Sequence, residues 1–467
     1  MPSLSEFLAE NDEIVTRVRG CVPLDLVGAL TAQARTPILF DNLAEHPGWR
    51  LADQLFVTRE AQARVLGSDP GDPTSVVRAL VQVLRRGPRP LHHLPPGEAA
   101  CQETVLTGDD IDLSLLPIVT HTARDPYPYT TSFAVHRNPD SGQGNQMFPR
   151  CGVLGRAEMV TSFVTSTANR FLARHRALGT KMPQAVVIGA HPGWELAGCY
   201  SAPHDDWCEL ELFESITGHR GDLASCVTVP LAVPADASVV IEGWVDPHRR
   251  ATDGPSPGPN MLYTPHASQQ PVFEVTAITM RRDPVYRNHL MTPQTDHQEM
   301  PRLFHEAILF ERLRAMGIGV RDVHFPPAGG HFSCLLQVEP TMDGQVTDAL
   351  LCALGAPWLN MKMVVAVDPD IDIYNEADVH YAIASRVDPA RDVLIIPGAR
   401  ATPFDPTATP VLDAGADAAE TRFPSTVGKW AIDATKPVPY RAAARALFDR
   451  AWPAHTDEVK LSDYLRD

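Results

Sequence analysis

An α/β fold with a β-rich centre is the class this chain predicts, and three stretches carry that expectation. "SVVRALVQVLRR" (Ser75 to Arg86) repeats apolar residues at spacings of three and four, the period of an amphipathic helix. In the middle third, "QAVVIGA", "ASVVIEGWV" and "PVFEVTAITM" are β-branched runs bounded by Gly, Pro and Asp, which predict strands of a sheet or small barrel. Further on, "LNMKMVVAVD", "EADVHYAIASRV" and "RDVLIIPG" read strand, helix, strand, the pattern of a parallel βαβ unit.

The remaining elements follow in chain order. Residues 1 to about 105 mix short apolar runs such as "TPILF" with helical stretches, and the proline-rich "RGPRPLHHLPPGE" after them reads as a linker. Helices are expected at "TSTANRFLARHRALG" and "DWCELELFESITG", between the central strands, and at "MPRLFHEAILFERLRAMG" after residue 300. No internal repeat or low-complexity tract interrupts this order.

With 467 residues the chain suits about three domains. Its 44% apolar and 21% charged residues are those of a soluble globular protein. A formal charge of -17 argues against partners held through phosphates, so nucleic acid and anionic membranes are not expected. No apolar run is long enough to cross a bilayer, and the acidic start "MPSLSEFLAENDEIV" lacks the basic region of an export signal. The eight cysteines are scattered without a CxxC pair and read as reduced, mostly buried thiols, so a cytoplasmic location is expected.

Candidate chemistry is sparse. "DPDIDIYNEADV" has acids at positions 1, 3 and 5 of a calcium loop but Ile373 and Val379 where that loop needs Gly and Glu, so its acids read as helix caps. "HDDWCELE" (His204 to Glu211) has metal-binding residue types without a second cluster of ligand spacing. No P-loop, HExxH, GxSxG or GxGxxG is present. In "GNQMFPRCGVLG", Arg150 stands in a segment with few other charges; its planar fork could clamp a carboxylate, or form a structural salt bridge with a residue such as Asp253. Lys362, inside an apolar run, wants a buried carboxylate or a phosphate, unless its chain snorkels outward. In "ATDGPSPGPNML", a loop stiffened by prolines follows Asp253 and poses the choice between a solvated acid and a rigidly held one.

Taken together, "TGDDIDLSLLPI", "GNQMFPRCGVLG", "VPADASVVIEGWVDP", "VFEVTAITMRRDPVY", "DPDIDIYNEADVHYAIASRVDPARDVLIIPGARATPFDP" and "IDATKP" resemble, in this order, the UbiD-type decarboxylases that use prenylated FMN. The resemblance runs from about residue 10 to about residue 440. It implies reversible, non-oxidative decarboxylation of an aromatic, heteroaromatic or α,β-unsaturated acid, with the prenylated flavin as electron sink. It also implies an N-terminal α/β domain (1–110), a central split β-barrel resembling flavin reductases (111–300) and a C-terminal α/β domain (301–467) with an oligomerisation helix. A homodimer or higher homo-oligomer, and a flavin prenyltransferase as cofactor supplier, are the implied partners.

The family's roles carry over residue by residue. Asn145 and Glu209 match the ligands of a divalent metal, manganese or magnesium, that bridges to the flavin phosphate, with potassium as a further cation. Arg150 matches the arginine that contacts flavin and substrate carboxylate, and Lys362 the lysine that reaches the phosphate. Phe148, Pro149 and Arg150, with Ser162, Phe163 and Val164, fall where the family's backbone lines the cofactor. Asp253 with Gly254-Pro255 matches the first acid of the catalytic pair.

Two positions depart from the pattern. Ser166 stands where a metal-binding histidine is expected, and a hydroxyl is a weaker ligand than imidazole. The second acid, the usual proton donor, falls at Gly258 or Pro259, neither of which titrates. His266 and His289, close in sequence to that loop or to the next one, are candidate substitutes. Two readings follow: a working decarboxylase with an altered acid, or a binding or scaffold protein that keeps the flavin and has lost decarboxylation.

Overall fold

The computed structural model describes residues 2–163, 166–200, 207–258, 262–264, 267–356, 361–402, 405–408, 426–455, 458–459 and 461–464, the side chains of 166, 461 and 462 excepted. The fold is mixed α/β, with four sheets among the described residues.

The largest sheet has nine strands and supplies the β-rich centre. Its spine is the antiparallel pair Val239–Asp253 and Ser268–Met280, flanked by Met182–Ile188 on one side and Glu158–Ser162 on the other. Bulges at Glu242/Gly243 and Asp246/Arg250 bend this spine. The ends of the sheet then come round toward each other. Gly144–Met147 forms one edge, whereas Arg150–Val153 lies next to the opposite edge. Only Phe148 and Pro149 separate them, a span of at most about 11 Å. The sheet must therefore curl into a half-barrel. Its inside is filled by Met147, Cys151, Met159, Val186, Ile241, Phe273 and other apolar side chains, each with almost no exposed surface.

The predicted helix at Ser75–Arg86 is present with the same bounds. It packs on the long helix Asp296–Ala315, which carries the "MPRLFHEAILFERLRAMG" pattern. One continuous core joins these two helices to the first short helix and to one face of the C-terminal sheet. A small N-terminal sheet, Thr16–Val18, Ile38–Phe40 and Arg50–Asp53, takes its fourth strand from Val285–Arg287, so the chain returns to its beginning after the barrel.

Two expectations are corrected. The "RGPRPLHHLPPGE" segment is not a free linker: His92–His93 pairs in parallel with Asp222–Ser225, and the N–H groups of Arg89, His92 and Leu94 donate to the carbonyls of Glu211, Gly221 and Leu223. The expected βαβ unit is also different. Met363–Val367 runs parallel to Ser333–Val338 and to Thr426–Ala434, and Val393–Arg400 is an antiparallel edge strand beyond the latter. An edge strand needs to bury only part of its surface, and Ile395 is 70% exposed. The helix Glu376–Arg386 is capped by the Asn375 side chain, and Asp370 pairs with Arg386 and Lys436, so the acidic stretch serves capping and pairing. All eight cysteines are free thiols, and only Cys21 is exposed. Among the described residues no helix is long and apolar enough to cross a membrane.

Candidate active site

Strand pairing puts the central group together. Ser162 lies opposite Arg150, and Gly152, two residues on, lies opposite Tyr129. Gly152 is required here, because a Cβ at that position would lie 2.6 Å from Tyr129 Cε1. With hydrogen in its place the Tyr129 ring packs close against Gly152, and the Arg150 guanidinium lies over that ring at 3.6 Å from its centre. Asp253 ends its strand; Gly254 then turns the chain with φ of +86°, a conformation open to glycine. Tyr129 Oη donates to Asp253 Oδ1 at 2.5 Å, and Ser162 Oγ donates to Asp253 Oδ2. Burial, then the bond to Asp253, push the Tyr129 phenol above its ordinary value.

Arg150 does not pair with Asp253. Its Nη2 donates to Asp125 Oδ1 at 2.5 Å, and Asp125 Oδ2 in turn accepts from the backbone N–H groups of His121 and Thr122. Arg150 Nε and Nη1 are buried without a protein partner. A desolvated cation with two unspent donors is costly unless a ligand with acceptor oxygens meets it. Nearby, burial and the Arg150 charge pull His121 down to about 4, so this imidazole is neutral.

A second group sits across the two-residue link. Asn145 Nδ2 lies 3.2 Å from Glu209 Oε1, Gln146 N–H donates to Glu209 Oε2 at 2.8 Å, and Asn145 Oδ1 is buried without a protein partner. Amide and carboxylate oxygens suit a hard divalent cation. Among the described residues no three His, Cys, Asp or Glu side chains converge as a metal cluster, and the oxygen donors they offer here are those of Asn145 and Glu209. Between the groups, Phe148 packs edge-on against Phe133 and His289, and Pro149 is buried. Phe163 is buried against His136.

Behind them lies a charged cluster that sequence reasoning missed. Arg287 binds Glu195, Asp53 and Asp296, all buried, and Asn288 Nδ2 donates to Asp53 at 2.6 Å. Burial, then the Asp296 charge, push Asp53 up to about 8. His289 is fully buried, with Nε2 3.1 Å from Glu195 Oε2 but off the line of a hydrogen bond. It belongs to this cluster rather than to the loop after Asp253.

Lys362 stands apart. It precedes its strand instead of lying inside it, and its Nζ lies 2.8 Å from Asp405 and 2.7 Å from Thr407 Oγ1, so the anion its position wanted is a protein carboxylate. Val164, the His204–Asp206 end of the "HDDWCELE" stretch, Pro259 and His266 lie outside the described residues, as does the side chain of Ser166, which opens the helix Ser166–Leu178. Asp125 and Tyr129 were also missed. Their only signal is "RDPYPYT", where an acid and two tyrosines interrupt a loop.

Two family models match the chain. The "3-octaprenyl-4-hydroxybenzoate carboxy-lyase Rift-related domain" covers residues 93–294, and the "3-octaprenyl-4-hydroxybenzoate carboxy-lyase C-terminal domain" covers residues 299–434. The UbiD-class enzyme HmfF from Pelotomaculum thermopropionicum, solved in complex with FMN, is 29% identical with a TM-score of 0.87, over 99% of this chain and 100% of that one. An evolved dimeric form of HmfF, solved with prFMN, is likewise 29% identical, with a TM-score of 0.84 over 99% and 100% of the two chains. The 3,4-dihydroxybenzoic acid decarboxylase AroY from Klebsiella pneumoniae shares the fold at 23% identity and a TM-score of 0.87, over 99% of each chain. With both models matched in order and the same fold spanning nearly all of the chain, the protein belongs to the UbiD family.

Proposed function

We propose that the protein is a carboxy-lyase that uses prenylated FMN to decarboxylate, reversibly and without net oxidation, an aromatic, heteroaromatic or α,β-unsaturated acid. The observation that carries this reading is Arg150, buried with two unspent donors beside a hydrogen-bonded Asp253. When bound, prenylated FMN supplies the electron sink for the carbon that loses CO2.

The residues present fit such a group. Asn145 Oδ1 and the Glu209 carboxylate offer the oxygen ligands for a magnesium or manganese ion at the phosphate end. Lys362 would hold the phosphate only by exchanging Asp405 for it. Arg150 orients the substrate carboxylate with Nε and Nη1, while Asp125 fixes the guanidinium from the other side. The barrel wall of Phe148, Pro149 and Phe163 keeps water from the reacting carbon. Asp253 returns the proton that replaces CO2. The catalytic unit is a homodimer or larger homo-oligomer loaded by a flavin prenyltransferase.

Retention of flavin without chemistry is not favoured, because Arg150, Tyr129, Ser162 and Asp253 form one bonded group. Co-expression with a flavin prenyltransferase, followed by absorbance and CO2 release across a panel of aromatic acids, tests the proposal. A flavin-loaded protein that releases CO2 from one of them is expected. A loaded protein that neither releases CO2 nor exchanges substrate hydrogen for solvent deuterium would overturn it.

A further inference from the structure

We infer that Tyr129 is a positioning residue that ties Arg150 to Asp253, its ring face carrying the guanidinium and its hydroxyl fixing the carboxylate. The inference rests on the decarboxylase reading and answers a question that reading leaves open, namely how one acid serves where two are expected.

Gly258 fills one of the two places for the missing acid and Pro259 the other, so Asp253 has no carboxylate neighbour in its loop. A lone carboxylate on a strand end is free to turn about its side-chain bonds. Here both oxygens are engaged, Oδ1 by Tyr129 and Oδ2 by Ser162. Both donors are hydroxyls on strands of the same sheet, and Tyr129 has no exposed surface. Around the phenol stand Asp253, Arg150, Asp125 behind Arg150, and the Tyr127 ring at 6.1 Å, whose hydroxyl donates to Thr252 O. Tyr129 is thus the one side chain in direct contact with both Arg150 and Asp253 among the contacts described.

The proton balance defines its task. Decarboxylation breaks the C–COO⁻ bond, releases CO2 and forms C–H with one proton. That proton leaves Asp253 in its acid form, and the resulting carboxylate is held by the two hydroxyls until water reloads it. Tyr129 neither gives nor keeps the proton; it selects the orientation from which Asp253 delivers it, relative to a carboxylate bound by Arg150.

The test uses the flavin-loaded enzyme and the acid it turns over fastest, with benzoate as a binding probe in calorimetry. Tyr129→Phe keeps the ring under Arg150 and removes the hydroxyl. The expected result is a kcat lower by about tenfold or more, unchanged benzoate affinity, and an alkaline limb of the pH–rate profile moved to higher pH, because Asp253 acts in its acid form and loses a donor that favours its carboxylate. In an Asp253→Asn background the same substitution should change kcat by less than about twofold, because its partner is already gone. Tyr129→Leu should weaken benzoate binding as well. Thermal unfolding of the flavin-free single and double variants reads the Tyr129–Asp253 coupling without any turnover. Absence of CO2 release by the unaltered enzyme would defeat the decarboxylase reading and leave that coupling measurable. Tyr129→Phe with full kcat and an unmoved profile, or losses that simply add in the double variant, would overturn the role of Tyr129.

Discussion

Asp125 and Arg150 meet at 2.5 Å with 0% and 5% of their side chains exposed, a nearly dry ion pair. Such a pair contributes little net stability while intact, because both ions have given up water. Removing one partner is another matter, since it strands a buried charge.

Asp125→Asn should therefore cost about 3–5 kcal/mol of stability, read by urea unfolding. Added benzoate should raise the midpoint of the variant more than that of the unaltered protein, because a carboxylate replaces the lost counter-charge. A variant as stable as the parent would mean that Arg150 has another anion.

Gly152→Ala would place a methyl group 2.6 Å from Tyr129 Cε1, with backbone strands on both sides and no room to yield. Overpacking of this kind costs about 1–3 kcal/mol, and here it also lifts the ring that supports Arg150. The variant should fold with a lower melting temperature and bind benzoate more weakly. Unchanged calorimetric affinity would separate Arg150 from its aromatic support.

Asn145 and Glu209 predict a cation effect at the phosphate end. Manganese should raise the melting temperature of the FMN-loaded protein, and that rise should vanish in Glu209→Ala. Metal analysis of the dialysed holoprotein gives an independent count. An equal rise in parent and variant would place the ion elsewhere.

Asp53 gives a pH dependence with a definite sign. Its folded value is raised by burial and Asp296, to about 8, whereas in the unfolded chain it ionises in the ordinary carboxylate range. Through that window the folded state holds a proton that the unfolded state has released, so stability falls as pH rises. Glu299, raised to about 7 chiefly by burial, acts in the same direction. Asp53→Asn should flatten the fall in melting temperature from about pH 5 to about pH 8 without abolishing it. Parallel curves for parent and variant would remove Asp53 from the balance.

Periodicity made Ser75–Arg86 and the spine strands legible, because each is long enough for its apolar pattern to repeat. It could not order the C-terminal sheet. Thr426–Ala434 carries Gly428, Lys429 and Trp430 among its apolar residues, and nothing local announces that it inserts beside Met363–Val367. At the site, Asn145, Arg150, Glu209 and Asp253 stand in recognisable motifs. Tyr129 is 124 residues from Asp253, and Asp125 is 25 from Arg150, so their roles exist only once the sheet has curled. Lys362 is the reverse case: its motif is legible, whereas its protein partner Asp405 lies 43 residues away and nothing local announces it.

Phe148 and Pro149 have a consequence that reaches past closing the sheet. Asn145 and Arg150 belong to opposite rims, yet their separation is gauged by this dipeptide alone. It acts as a calliper, limiting how far apart those two positions can sit. An inserted residue would lengthen the link and let the two rims move apart, while each strand keeps the facing that its own pairing sets.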